Sequence, residues 1–240
     1  MTRRQDHTSL GGAGRQFPAT EWTRMLTHPQ REIILAELCR DYWKPVYSYL
    51  RSMGFGNEQA KDLVQAFFTE KVLGRQFVQR ADRAKGRFRS FLLRSVRNYA
   101  INAQRNVKPH ETLDDSQHAH FTTTDAETEF NRAWADKLLQ DVLHELEDEC
   151  QQRNKLTHWH IFHDWLLEPQ VGGKKRTMSD LCAKYGLADA STAYHMIENI
   201  KRRFRSVLRD HLTPLAGSDG EVEPEIREFI EIFSSGAART

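Results

Sequence analysis

Apolar residues in this chain recur at every third or fourth position and almost nowhere at every second, which confines the fold to packed helices. Ile34, Leu38, Tyr42, Val46 and Leu50 share one stripe of a helix running from about Arg31 to Met53. Pro45 should kink or split that helix, and Gly54 and Gly56 break it. Asn57 reads as the cap of a second helix with Glu58 in its first turn, and its apolar face is Ala60, Leu63, Val64, Phe67, Phe68 and Val72. Gly74 closes that run. A third helix, Arg87 to about Arg105, turns Phe88, Phe91, Leu92, Val96 and Ala103 inward until Pro109 stops it.

The pattern then lapses. Residues 109–129 hold Pro, Asp, Ser, Gln and a Thr triplet with few large apolar side chains, the composition of a flexible acidic linker. Helices resume near Phe130, with Trp134, Leu138, Leu139, Val142 and Leu146 on one stripe and Trp159, Phe162, Trp165 and Leu166 on the next. Gly172-Gly173 is a turn. A short helix, Met178–Tyr185, then meets Gly186, and a long helix from Ala190 to His211 directs Ala193, Ile197, Ile200, Phe204, Val207 and Leu208 inward. Short helix, glycine turn and long helix with a basic end is the layout of a helix-turn-helix. A last amphipathic helix is expected over Pro224–Phe233. The expected fold is therefore all-α, with two small helical domains joined by a flexible linker. The units are 17–108, the linker 109–129, a helix-turn-helix unit 130–213 and an acidic tail 214–240.

Charge is distributed in blocks that the net value of +2 conceals. Arg83, Lys85, Arg87, Arg89, Arg94, Arg97, Arg105 and Lys108 follow one another with no acid between them. Lys201, Arg202, Arg203, Arg205 and Arg209 form a second block, and acids dominate the linker and the tail. Two basic blocks suggest two surfaces for a polyanion. No apolar run is long enough for a bilayer, and Met1–Gly14 lacks the apolar centre of a secretory signal, so no membrane partner and a cytoplasmic location are expected. Cys39, Cys150 and Cys182 read as small apolar residues in a reducing compartment. His160, His163 and Asp164 have metal-ligand spacing near His158 and Cys150, but Trp159, Phe162 and Trp165 explain the segment as a packed helix. No metal, no cofactor and no catalytic constellation is expected.

The third helix carries the clearest chemistry. Its inward stripe leaves Arg87, Arg94, Arg97, Asn98 and Asn102 outward, with Phe88, Phe91 and Tyr99 near the margins. Guanidinium groups neutralise phosphates, asparagines pair with base edges, and aromatic rings hold unstacked bases, a set that suits DNA being opened. A solvated basic face over an ordinary core is the plainer alternative. On the second helix Asp62, Gln65 and Thr69 lie opposite the Phe67/Phe68 face, which by itself describes only a solvated surface.

The ordered segments WKPVYSYLR, NEQAKDLVQAFFTEKVL and GRFRSFLLRSVRNYAINAQR resemble the second domain of sigma-70 family RNA polymerase sigma factors. The likeness is strongest to the extracytoplasmic-function-like group of planctomycete type, whose opening FPATEW also resembles. The resemblance implies that Asp62, Leu63, Val64 and Gln65, with Thr69, bind the polymerase clamp. It implies that Arg87, Phe88, Arg94, Arg97, Asn98, Asn102 and Arg105 engage the minus-ten promoter element. MSDLCAKYG and KRRFRSVLR resemble the fourth sigma domain, whose helix-turn-helix contacts the minus-thirty-five element, which implies base contacts from Ser191, Thr192, Tyr194, His195, Glu198 and Arg202. The second half departs from the pattern: the stretch from Gly186 to Ala193 is one residue longer than the commonest spacing, and Glu198-Asn199 replaces a common His-Arg pair. The implied function is a non-enzymatic sigma factor that binds core RNA polymerase and promoter DNA, with an anti-sigma or other regulatory protein as a further partner. A helix-turn-helix regulator independent of polymerase, and a sigma-like protein without initiation activity, remain alternatives.

Overall fold

The computed structural model describes residue 29 and residues 31–72, 87–106, 123–171, 173 and 175–237. Gly74, Gly86, Pro109, the FPATEW segment and most of the expected linker lie outside the described residues. Every regular element among the described residues is helical.

Helix α1, Arg31–Ser52, is continuous: Pro45 sits inside it and is itself buried, so the helix is not split. The cost is one backbone bond, because a proline brings no N–H to the carbonyl four residues back. Helix α2, Asn57–Ala66, runs directly into a wider π-helical turn, Phe67–Val72. Its cap is Gly56 and not Asn57. The Asn57 carboxamide is occupied elsewhere, accepting from the Tyr47 hydroxyl at 2.6 Å and donating to Glu58 at 3.0 Å. Ala60, Val64, Phe67, Phe68 and Val72 are buried as their spacing predicts. Helix α3 spans Phe88–Asn106.

Helix α4 begins at Thr123, seven residues before the apolar stripe made it visible, and runs to Gln152. The expected linker therefore gives up its last residues to a helix: Ala126 and Phe130 are fully buried and anchor its first turns. Its 30 residues extend about 45 Å at 1.5 Å each. That reach lets α4 pack along α1, meet α8 at Trp134 and reach α7 through Glu145 and Glu149. Tyr42 of α1 marks the junction, edge-on to Phe88 at 5.2 Å and stacked on Phe130 at 6.3 Å.

Helix α5, Leu156–Phe162, continues through a π turn, His163–Leu167, and a 3-10 turn, Glu168–Val171. Helices α6, Met178–Tyr185, and α7, Ala190–Leu212, follow with the boundaries that their stripes predict. Helix α8, Asp219–Ala237, is longer than its Pro224–Phe233 apolar segment. It packs on α4 and α7 through Val222 and Phe229, the latter edge-on to Trp134 at 6.2 Å. Buried side chains from α1 through α8 form one connected apolar cluster. Cys150 is buried and Cys39 and Cys182 partly so, all as free thiols. No helix among the described residues is long and apolar enough to cross a membrane.

Candidate nucleic-acid interface

Helix α3 presents two opposite faces because its apolar residues recur at helical spacing. Phe88, Leu92, Val96 and Ala100 are buried, and Arg94, Asn98, Asn102 and Arg105 stand exposed on the far side. At 100° per residue, positions 87, 94, 98 and 105 fall on one line along the helix. Arg94 and Arg105 have no ion-pair partner among the described residues, and Arg97 has only an exposed one, Glu127 at 3.5 Å. Phe88, expected at the interface, is 1 % exposed and belongs to the core.

The start of α3 is different. Arg87 Nε donates to Glu221 at 2.8 Å, and its Nη1 reaches Glu225 at 2.7 Å and Glu228 at 2.6 Å. Arg89 Nε donates to Glu225 at 2.8 Å, while Nη2 reaches Glu228 at 2.7 Å and Nη1 donates to Asn131 at 2.5 Å. Its guanidinium also lies 4.1 Å from the centre of the Trp134 ring, within cation–π range. Burial disfavours the charge on both arginines, but the surrounding glutamates outweigh it and hold both cations more firmly protonated than usual. Burial also works against the Glu228 carboxylate, and Arg89 with Arg87 reverses that, pulling its pKa below the ordinary value. Arg89 is only 4 % exposed and was not singled out from sequence. Its signal was positional: it shares the inward side of the helix with Leu92, Val96 and Ala100, where a cation requires a partner.

Asp62 and Gln65 on α2 and Thr69 in the π turn that follows are exposed along one side, Leu63 is half-buried, and Val64 is wholly buried. Val64 can support this surface but presents no side chain to a partner. Trp43 of α1, 41 % exposed, stacks on Phe68 at 6.1 Å beneath the same helix.

The α6–α7 turn is defined by caps at each step. Thr177 Oγ1 accepts from the Asp180 amide at 3.1 Å while the Asp180 carboxylate accepts from the Thr177 amide at 2.9 Å, a reciprocal capping box. Gly186 ends α6 in the left-handed region at φ 63°, ψ 35°. Asp189 then caps α7 by accepting from the Thr192 amide at 2.7 Å, and those backbone bonds depress its pKa. Below the turn, buried Asp164 accepts from Lys184 at 2.6 Å and from the Tyr185 hydroxyl at 2.8 Å, with Arg176 at 3.5 Å. Burial opposes its charge, yet these donors lower its pKa and tie α6 to the π turn after α5.

Ser191, Tyr194, His195, Glu198 and Arg202 are exposed on one stripe of α7, which continues through Arg205 to Arg209. Thr192 is half-buried and committed to the cap. Glu198 pairs with Lys201 at 2.9 Å, and Arg202 donates to Asn199, so the middle of the stripe is locally satisfied. Arg203 turns away to Glu149 of α4, and Arg209 meets Glu223 of α8. In the α5 region His160 stacks on Tyr185 and His163 stands 3.7 Å from Asp164; no group of three metal-ligating side chains assembles among the described residues. No protein-family model, curated protein or solved structure matches this chain.

Proposed function

We propose that this chain is a sigma-type initiation factor that binds core RNA polymerase and directs it to promoter DNA. The observation that carries the DNA half is the exposed row of Arg94, Asn98, Asn102 and Arg105 on α3, a mixture of cations and amides with no carboxylate among them. Such a row neutralises phosphates and offers base-edge hydrogen bonds from one helix. The α6–α7 turn supplies a second DNA surface at a separate basic stripe. The polymerase half rests on the order of three sequence motifs and on Asp62 and Gln65 of α2 standing exposed with Thr69 of the π turn that follows. The chain itself performs no bond-making step on this reading.

The test is binding to purified core polymerase, read by co-sedimentation. The parent chain co-sediments, whereas Asp62→Ala with Gln65→Ala loses most of the complex at unchanged helicity. Equal co-sedimentation of both removes the clamp assignment. Glu198 on the α7 stripe favours a second reading, a sigma-like protein that binds polymerase or another partner without starting transcription, because a carboxylate facing the duplex repels phosphates.

A further inference from the structure

Helix α8 carries six acids, Asp219, Glu221, Glu223, Glu225, Glu228 and Glu231, against one cation, Arg227. Glu221, Glu225 and Glu228 are spaced to share one face and all three reach the start of α3. Three carboxylates thus surround two guanidinium groups, Arg87 and Arg89. Glu223 reaches a different basic helix and pairs with Arg209 at the end of the α7 stripe. One acidic helix therefore engages the terminal arginine of each of the two basic rows.

Packing explains only part of this arrangement. Val222 and Phe229 bury the helix against the body, and Glu225 is needed because Arg89 is buried and must have a counter-charge. Glu221 pairs with Arg87 alone and Glu228 with both arginines, and their side chains are 40 % and 38 % exposed. Glu223 and Arg209 are more exposed still, at 56 % and 53 %. The Glu223–Arg209 pair, open to water on both sides, contributes little to stability, and at Arg87, 19 % exposed, the half-exposed carboxylates of Glu221 and Glu228 can exchange for another anion. Arg87 lies on the same line as Arg94, Asn98 and Arg105, so the carboxylates gathered on Arg87 stand where one phosphate would stand at the N-terminal end of that line.

We propose that α8 is an intramolecular acidic clasp that competes with DNA phosphates for Arg87, and at its other side for Arg209, holding the chain in a weakly binding state. The proposal rests on the nucleic-acid reading of α3 and α7. Displacement of the Glu221 and Glu228 carboxylates extends the α3 row by one phosphate contact at its N-terminal end, where the helix dipole also favours an anion. Arg89 and Glu225 stay paired and keep the helix attached.

The test uses the full chain and a fluorescein-labelled single-stranded DNA 30-mer of mixed sequence, with affinity measured across a salt series. Glu221→Gln with Glu228→Gln leaves Glu225 in place and preserves the helix, whereas truncation at Gly217 would bare Trp134. The double variant binds roughly threefold to tenfold more tightly, with a plot of log affinity against log salt steeper by about 0.7 for the one freed arginine. Adding Arg87→Gln returns both values to those of the parent. If parent and double variant bind with the same affinity and slope while Arg94→Ala weakens both, the clasp is overturned and the nucleic-acid reading stands. If no variant binds the strand at all, the nucleic-acid reading of α3 falls and the clasp falls with it.

Discussion

Arg89 shows how one side chain joins distant parts of the chain. It leaves α3 among apolar neighbours, lies over Trp134 of α4 and ends on Glu225 and Glu228 of α8. Removing one member of a buried pair leaves an uncompensated charge, so Arg89→Ala should destabilise the fold by about 3 kcal/mol. Urea unfolding measures this, and a loss within 0.5 kcal/mol of zero, roughly the scatter of surface substitutions, would show that the pair is not buried in solution. The same cage has a pH signature. The Glu228 pKa lies below its ordinary 4.5 when folded, so its contribution is complete above pH 4.5 and disappears as pH falls below that value. Asp164 and Glu149 are shifted the same way by Lys184 and Arg203. The urea midpoint should therefore climb as pH rises from about 3 to 5, and Glu228→Gln should flatten part of that climb. A midpoint indifferent to pH over this range would contradict the ion-pair geometry.

Among the elements, the α6–α7 turn has the most specific requirement. Gly186 holds φ 63°, a conformation that L side chains rarely adopt, and an added Cβ there would meet nothing within 4 Å. The penalty for Gly186→Ala is then purely conformational, about 1 kcal/mol, and Gly186→Asn should recover part of it. Equal thermal midpoints for parent and Gly186→Ala would mean that the turn relaxes to another form. This turn was legible from sequence because glycine follows a short apolar stripe. The start of α4 was not. Thr123–Glu129 is polar, and its helix is secured by tertiary burial of Ala126 and Phe130, which local composition does not express. The cap of α2 was misassigned for a related reason: Asn57 suits a cap by type, but the Tyr47 hydroxyl, ten residues earlier, claims its oxygen. Most outward candidates on α2, α3 and α7 could be placed from periodicity alone. Val64 and Phe88 could not serve as contacts, since the same periodicity that recommends their helices turns them inward.

At the scale of the whole molecule, α4 determines how the surfaces are related. It packs on α1 near its start and faces α7 through Glu145 and Glu149 near its end, where His211 and Arg203 meet them. α8 closes the arrangement by reaching α3, α4 and α7 together. Long-range charge pairs of this kind are invisible to periodicity, because the partners of Arg87 lie more than a hundred positions away. On the proposed reading, the basic rows and the α2 surface serve one purpose, the binding of polymerase and DNA by the same chain. The most direct measurement is run-off transcription with purified core polymerase on genomic promoter fragments, with and without the chain. Defined transcripts that appear only when the chain is added are the predicted result. Core polymerase that initiates equally without it, or that never initiates in its presence, would contradict the assignment.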